Sequence, residues 1–421
     1  MVHQMGVKLR VQIRAFSEKL SEGMGKVVER FVEEMLYGLQ AKGSVRLSEI
    51  ARSLVDKASV KKRIDRLSRN LGRVGLGDAI GRGILAEGAS RIKGDTLLIL
   101  DPTDITKKYA RKMEHLAGVR DGSEKQKAQG YWVDTVIGAE VDSWDITPLV
   151  HRLYSQNAED FVSENHQLLE VIDGVYRATE GRGIFVMDRG GDRRTLYNRL
   201  LKEGSPVRFI IRQRGDRHVL YGGKQRETFE VAKACKTPYT ATVIRQKDGR
   251  EKRYFIHFGA CPVSLPEHPE KPLWLVVAWG FGEKPLMLLT TEPMGRNRSA
   301  VWWVVNAYLT RWRIEDTIRF IKQSYGLEDI RVLTYERLRN MAALVLAAAF
   351  FTAVRIGYRP RLQILAMHVI NAAQCIFGAP TFRYYALAYG IKTILSRSGK
   401  GILPKKKQEG GPFFQLPIFA T

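Results

Sequence analysis

Apolar positions in the first ninety or so residues recur at helical spacing, with Val28, Phe31, Val32, Met35, Leu36 and Leu39 on one face. Ser48 is placed to cap a short helix through Val55, and Ser59 a second through Leu71. Gly72, Gly75, Gly77, Gly81 and Gly83 then read as a loose connection, without the spacing of a nucleotide-binding loop. From residue 94 the period changes to short apolar runs, which predict strands near 96–101, 130–139, 146–154 and 183–188 and helices near 160–178 and 192–202. Between about 206 and 290 the runs are short and alternating: Val207–Arg212, Tyr239–Ile244 and Leu273–Val277, with a turn signal at Lys247-Asp-Gly249. The apolar run Met341–Val354 falls short of a membrane span and reads as a buried helix. Beyond Pro360 the pattern is mostly helical until Ser396, and the stretch from Gly399, with Lys405-Lys-Lys407, reads as an extended basic tail. The fold class is α/β.

Composition adds a partner. Lys and Arg number 68 against 44 Asp and Glu, a net charge of +24 that favours a polyanion through counterion release. The basic residues are spread along the chain and not gathered beside an apolar anchor, which argues against a membrane surface. Cys235, Cys261 and Cys375 are far apart in the sequence, which excludes a CxxC zinc site and argues against a disulfide framework. The basic N-terminus has no apolar signal core, so a cytoplasmic, nucleoid-associated location is expected.

The densest chemistry lies in Tyr308-Leu-Thr-Arg311-Trp-Arg-Ile-Glu315 and the helix onward to Lys322. Read as one helix, it places Tyr308, Arg311, Glu315 and Lys322 within about 60° of one another, along a stripe of roughly 20 Å. Ile314, Ile318 and Ile321 form the neighbouring, buried face. A carboxylate flanked by a phenol and two cations suits a metal ion beside a phosphate backbone. Two apolar runs end in carboxylates, Thr96–Asp101 and Gly183–Asp188, as central strands do where open α/β sheets place their sites. Two strand-end carboxylates and one from a helix are the minimum for a pair of hard cations such as Mg²⁺. Asp101 is preferred over Asp104 because it ends the apolar run, Asp104 lying past Pro102 in an expected turn. Asp192 and Asp316, near neighbours of the same kind, each read as a helix N-terminal charge or a member of a solvated pair. In the N-terminal region, the helix after Ser59 carries Ile64, Leu67 and Leu71 on one side and Lys61, Lys62, Arg63, Arg66 and Arg69 around the rest. Two short helices with a tight turn, the second basic, resemble a helix-turn-helix module. An amphipathic helix with a solvated basic face fits these residues as well.

The spacing Tyr308-x2-Arg311-x3-Glu315-x6-Lys322 resembles the Y-R-E-K signature of the insertion-sequence-four family of bacterial DDE transposases. The similarity extends over roughly residues 94–355: Asp101-Pro-Thr-Asp resembles the family's first-Asp motif, and Asp188-Arg-Gly-Gly-Asp its second. Gly130–Ile137 resembles the strand between them, and Leu288–Pro293 the strand before the Glu helix. The resemblance implies a ribonuclease-H-like catalytic core interrupted by a β-rich insertion. It divides the chain into an N-terminal DNA-binding domain (1–93), core (94–205), insertion (206–290), core (291–357) and a C-terminal helical segment with a basic tail (358–421). It further implies that Asp101, Asp188 and Glu315 hold two Mg²⁺ or Mn²⁺ ions and that Tyr308, Arg311 and Lys322 grip DNA phosphates. The implied partners are double-stranded DNA, as terminal inverted repeats and as target, and a second copy of the chain in the synaptic complex. The implied activity is excision through hairpin ends followed by strand transfer. One position departs: Leu286 stands where a relative has a Trp that stacks on a flipped base, while Trp274 and Trp279 on the preceding strand read as core. Two alternatives stay open: a ribonuclease-H-like endonuclease without integration, and a catalytically silent DNA-binding protein derived from a transposase. The intact acidic set argues against the second.

Overall fold

The computed structural model describes residues 2–107, 110–120, 126–141, 143–247, 250–294, 297–357, 360–361, 363–364 and 383–403. The turn at Asp248-Gly249, Cys375, most of the expected helix after Pro360 and the Lys405-Lys-Lys407 tail lie outside the described residues.

Five helices open the chain: α1 (Val2–Leu20), α2 (Lys26–Lys42), α3 (Leu47–Ser53), α4 (Val60–Leu71) and α5 (Leu76–Ala89). Met5, Leu9, Ile13, Phe16 and Leu20 give α1 one buried stripe, and α2 ends at Gly43, whose left-handed conformation (φ 58°) aims its N–H at the Leu39 carbonyl. The cap of α3 differs from expectation. The helix starts at Leu47 after Arg46, with no side-chain cap, so Ser48 lies inside it. Ser59 does cap α4, its hydroxyl accepting from the Lys62 N–H.

The larger correction is α5, which occupies the stretch expected to be a loose glycine-rich connection. Its glycines permit close packing in this case. A Cβ at Gly77 would lie 2.8 Å from Asn340 Oδ1, and one at Gly88 would lie 2.5 Å from a Leu149 methyl. Asn340 also donates to the carbonyls of Leu71 and Arg73 and accepts from the Gly77 N–H, which fastens α5 to the helix α11 (Tyr335–Phe350). Tertiary packing here outweighs the helix-weakening propensity of about 1 kcal/mol per glycine.

The strands are β1 (Leu97–Thr106), β2 (Ala117–Arg120), β3 (Lys127–Ala139), β4 (Ile146–Tyr154), β5 (Ile184–Met187), β6 (Phe209–Arg212), β7 (His218–Tyr221), β8 (Lys224–Glu227), β9 (Tyr239–Lys247), β10 (Arg250–Leu265), β11 (His268–Trp279) and β12 (Leu286–Thr290). They form one mixed sheet in the order β2-β3-β1-β5-β6-β12-β11-β10-β7-β8, with β4 on β3 and β9 on β10. β1, β5 and β6 run parallel, whereas β3 is antiparallel to β1, and β12 to β6. Thus Phe209–Arg212, expected in the alternating β segment, is the third parallel strand, and the antiparallel strands continue from its outer edge. Helices α6 (Glu164–Ala178), α7 (Arg194–Leu200) and α8 (Thr228–Ala234) cover one face. The other face carries α9 (Arg298–Thr310), α10 (Trp312–Tyr325) and α11.

One apolar cluster runs from Met5 on α1 to Leu395 on a last helix, α12 (Tyr384–Arg397). The N-terminal helices therefore share a core with α11 and α12, and Phe16 stacks on Phe350 with ring centroids 5.8 Å apart. Each such side chain removed from water contributes about 1.5–3 kcal/mol. After Phe350 the helix continues as a π turn through Arg355. There the Ala348 carbonyl accepts from Gln40 (2.8 Å) and Tyr325 (3.0 Å), which satisfies a buried polar group the regular ladder would use. Among the described residues, Tyr335–Arg355 is the one helix long and apolar enough to cross a membrane, and 83% of its most apolar stretch is buried inside the protein. The expected shortfall in length does not hold, while the reading as a core helix stands. Cys235 and Cys261, distant in the sequence, meet as free buried thiols, and a hydrogen bond between them lowers the Cys235 pKa.

Candidate active site

β1 and β5 are paired only from Leu97 to Ile99 and from Ile184 to Val186. Two residues beyond each pairing come Asp101 and Asp188, so both carboxylates stand at the carboxyl ends of parallel neighbours, where the strands part. The chain leaves β1 toward β3 on one side and reaches β5 on the other, a reversal of strand order of the kind at which open α/β sheets form clefts. β1 does not end at Asp101. It continues to Thr106 against β3, and Pro102, which has no N–H to donate, lies past the stretch paired with β5. Asp104 is consequently a buried strand residue, not a turn residue, and accepts from the Thr106 hydroxyl at 2.7 Å. Asp188 opens a single 3-10 turn and accepts from the Gly190 N–H at 2.6 Å, which fixes its carboxylate.

The third carboxylate arrives on α10. Ile314, Ile318 and Ile321 are buried and seat this helix against β1 and β3, which leaves Glu315 half-buried and on the same guanidinium, Arg311, as Asp101. The expected single helix from Tyr308 is two helices meeting at Arg311, where bonds of the i to i+3 type tighten the chain: Arg311 N–H to the Tyr308 carbonyl, and Ile314 N–H to the Arg311 carbonyl. Tyr308 is buried, its ring packed in the core 5.8 Å from the Arg311 guanidinium, and does not extend an open polar stripe. Arg311 lies among the acids, with Nη2 3.1 Å from Glu315 Oε1 and Nη1 3.7 Å from Asp101 Oδ1. Burial pushes the Asp101 pKa up to about 7; Arg311 opposes the rise, and the charges of Asp188 and Glu315 add to it. Arg311 feels all three carboxylates in turn. Burial disfavours its charge, yet Asp101, Tyr308, Glu315 and Asp188, in that order, raise its pKa. Two acids from distant segments, Asp101 and Glu315, therefore meet on one guanidinium, and Asp188, at the end of the neighbouring strand, acts on it only through its charge.

The donor set fits a hard divalent cation in kind: carboxylate oxygens only, crowded enough to oppose one another's ionisation. As the side chains stand, no group of three or more His, Cys, Asp or Glu among the described residues is spaced to hold an ion. Between Asp101 and Glu315 stands the Arg311 guanidinium.

Beside the acids opens a cleft of about 1130 Å³, lined by Asp101, Glu315, Lys107, Arg111, Arg319, Lys322 and Arg331 among others. Lys322 pairs with Glu328 at 3.1 Å. Lys107, which the sequence did not single out, is buried at the cleft wall and donates to the Glu328 and Ile330 carbonyls, and burial lowers its pKa to about 8. Two further buried groups are hidden in the sequence because each sits inside an apolar strand pattern. Asp134 has neither oxygen hydrogen-bonded, and burial pushes its pKa up to about 7. His151 stands in register with Thr135 and Asp101 across three strands, hydrogen-bonded to Thr135, with burial lowering its pKa to about 3. Trp312, beside Arg311, is 46% exposed.

The basic residues of α4 divide in two. Arg63 donates to the carbonyls of Ala51, Leu54 and Ala58, and Arg66 pairs with Asp56 at 2.8 Å and Glu34 at 3.0 Å, so both tie the N-terminal helices together. Lys61, Lys62 and Arg69 are exposed. Asp192 pairs with Arg217 at 2.6 Å in the interior, and Asp316 with Arg319 at 3.3 Å near the surface. Leu286 is buried in β12, and Trp274 and Trp279 pack partly buried against the two cores.

No curated protein matches the sequence. Among solved structures, the chain is similar to one described as a cryo-EM structure of a piggyBac transposase synaptic complex with hairpin DNA. That similarity has 12% identity and a TM-score of 0.43, over 98% of this chain and 87% of that one. The family described as "Transposase DDE domain" matches residues 92–351. That span runs from the approach to β1 through the end of α11, encloses all three carboxylates and takes in well over half of the chain, so the protein belongs to the DDE transposase family.

Proposed function

We propose that this protein is a cut-and-paste DNA transposase of the Y-R-E-K type, which excises a mobile element and joins its ends to target DNA. The observation that carries the reading is Asp101 and Glu315 facing each other across Arg311, with Asp188 at the end of the neighbouring parallel strand and close enough for its charge to raise the Asp101 pKa. The parallel trio β1, β5 and β6, flanked by antiparallel strands, supports a ribonuclease-H-like core. The antiparallel strands β7 to β12 on its outer edge support a β insertion before the Glu helix.

Asp101, Asp188 and Glu315 would hold Mg²⁺ or Mn²⁺, two ions in this reading, which when bound activate an attacking oxygen and stabilise a leaving one. The chain's own residues do the rest. Lys322, half-buried in the cleft wall, and Arg311 supply positive charge to the phosphates of the strand that lies in the cleft. The buried Tyr308 ring fixes the Arg311 side chain from one side, so Tyr308 acts through Arg311. Arg63 and Arg66 hold α4 in place, and Lys61, Lys62 and Arg69 present its charge to a duplex. The partners in this reading are the element's terminal inverted repeats, the target DNA and a second copy of the chain that synapses the two ends, in the cytoplasm. Hairpin formation belongs to the reading as a step on the excision path, without an aromatic side chain at position 286.

A Mg²⁺-dependent nicking assay on DNA carrying the element's termini, followed by strand transfer with pre-cut ends, tests this. Nicking and joining are expected. Nicking without joining would leave an endonuclease, and neither would leave a DNA-binding protein.

A further inference from the structure

Arg311 carries more than a phosphate-binding role explains. Its side chain is 9% exposed, and its two terminal nitrogens face Asp101 and Glu315 from 3.7 and 3.1 Å. Its Nε is buried without any hydrogen-bond partner. The rings of Tyr308 and Trp312 flank the guanidinium at 5.8 and 5.6 Å. The guanidinium thus stands between two of the carboxylates that would hold a cation. A guanidinium with five donors that uses its fork only in part is held mainly by charge. Compare Arg217, whose Nε meets the buried Asp192 at 2.6 Å while a second nitrogen bonds the Asp192 carbonyl at 3.1 Å. Arg311 is the looser of the two, and it sits at the junction of α9 and α10, where no regular helix fixes its direction on both sides.

Building on the function proposed above, we propose that Arg311 is an internal counter-ion that competes with the divalent cation. In the DNA-free protein its guanidinium holds the place between Asp101 and Glu315. The side chain leaves when another anion takes it, and in the proposed reaction that anion is a DNA phosphodiester. Two cations in one carboxylate nest repel each other, so departure of the guanidinium and entry of the metal are linked. DNA binding and metal binding then strengthen each other by equal factors, as any coupling of two equilibria requires. The consequence is an acidic centre that stays closed to metal until DNA is in place.

The test is Mn²⁺ binding, followed by the loss of the free-ion electron paramagnetic resonance signal, for wild type, Arg311→Gln and Asp188→Asn, with and without a short duplex DNA at low salt. Without DNA, Arg311→Gln is expected to bind Mn²⁺ at least about tenfold tighter than wild type, the scale of one charge-assisted hydrogen bond removed from competition. Added DNA is expected to tighten binding by wild type and to change Arg311→Gln little. Equal affinities of wild type and Arg311→Gln, with Asp188→Asn binding more weakly than either, would overturn the proposal and leave the proposed function intact. Mn²⁺ binding indifferent to Asp188→Asn would overturn both. Should Arg311→Gln fail to fold by circular dichroism, the wild-type comparison decides alone: affinity unmoved by DNA refutes the competition.

Discussion

Asp188 and Asp192 lie four residues apart, and the structure gives them opposite duties, which Asp192→Ala separates. The Asp192 side chain is 1% exposed and accepts from Arg217 Nε at 2.6 Å on one oxygen and from the Arg214 N–H at 2.8 Å on the other. Arg217 in turn lies 5.2 Å from the Tyr197 ring. These bonds tie the turn after Asp188 to the start of the β7–β8 hairpin. Removing the carboxylate leaves a mostly buried guanidinium with a single carbonyl partner and a backbone N–H with none. Breaking one side of a buried ion pair costs about 3–5 kcal/mol, of which an orphaned N–H accounts for about 1–3. With an unfolding entropy of about 2.1 cal/mol/K per residue over 421 residues, a loss of about 4 kcal/mol lowers Tm by about 4–5 °C. Differential scanning calorimetry of wild type, Asp192→Ala, Arg217→Ala and the double variant gives both the loss and the coupling. The coupling is expected to exceed about 1.5 kcal/mol, as for a charge-assisted bond. An Asp192→Ala protein within about 0.5 kcal/mol of wild type, the range of an ordinary surface change, would refute the assignment of Asp192 to structure.

Other expectations follow from the same reasoning. Asp188→Ala is expected to abolish nicking, by about 10³-fold or more, while DNA binding and Tm are retained, since Asp188 is a partly exposed carboxylate whose hydrogen bond among the described residues is to its own turn; undiminished cleavage would remove it from the site. Replacing Lys61, Lys62 and Arg69 with Ala is expected to weaken DNA binding and to flatten its dependence on log salt by about 0.9 for each phosphate no longer neutralised, whereas Arg66→Ala should lower Tm instead; an unchanged slope would place the DNA elsewhere. Gly130→Ala puts a Cβ 2.2 Å from the Ile105 carbonyl oxygen, so it is expected to cost about 1–3 kcal/mol in calorimetry by forcing β1 from β3; a neutral variant would contradict that close approach. The His151 pKa is depressed to about 3, so its contribution is intact above the free-histidine pKa of about 6.5 and is lost as pH falls. Measured at about pH 4, wild type should have lost about 3 kcal/mol relative to His151→Leu compared with neutral pH, and parallel stability curves would argue that His151 protonates freely.

The parts of this protein legible in its sequence are those written in one local pattern. The runs ending in Asp101 and Asp188 are strands because unbroken apolar stretches of that length fit a sheet covered on both faces, and the isoleucines of α10 repeat at 3.6 residues. What the sequence hides depends on partners far away. The glycines of α5 look like loop residues until Asn340 and Leu149 are brought against them. Asp104 looks like a turn residue because Pro102 precedes it, yet β1 has an edge free of β5 at that point. Arg63 and Arg66 look like DNA-binding residues until Asp56 and the carbonyls of Ala51, Leu54 and Ala58 claim them. That the three acids share a site is expected from two strand-end carboxylates beside a charged helix and from a resemblance, whereas the place of Arg311 between two of them is visible in no spacing.

A structure of the protein with Mn²⁺ and DNA bound, with the ions located by anomalous scattering, tests the central claim most directly. The expected result is anomalous density shared by the carboxylates of Asp101, Asp188 and Glu315, with the Arg311 guanidinium turned onto a phosphate. Ions bound elsewhere, with Arg311 still bridging Asp101 and Glu315 in the DNA complex, would contradict it.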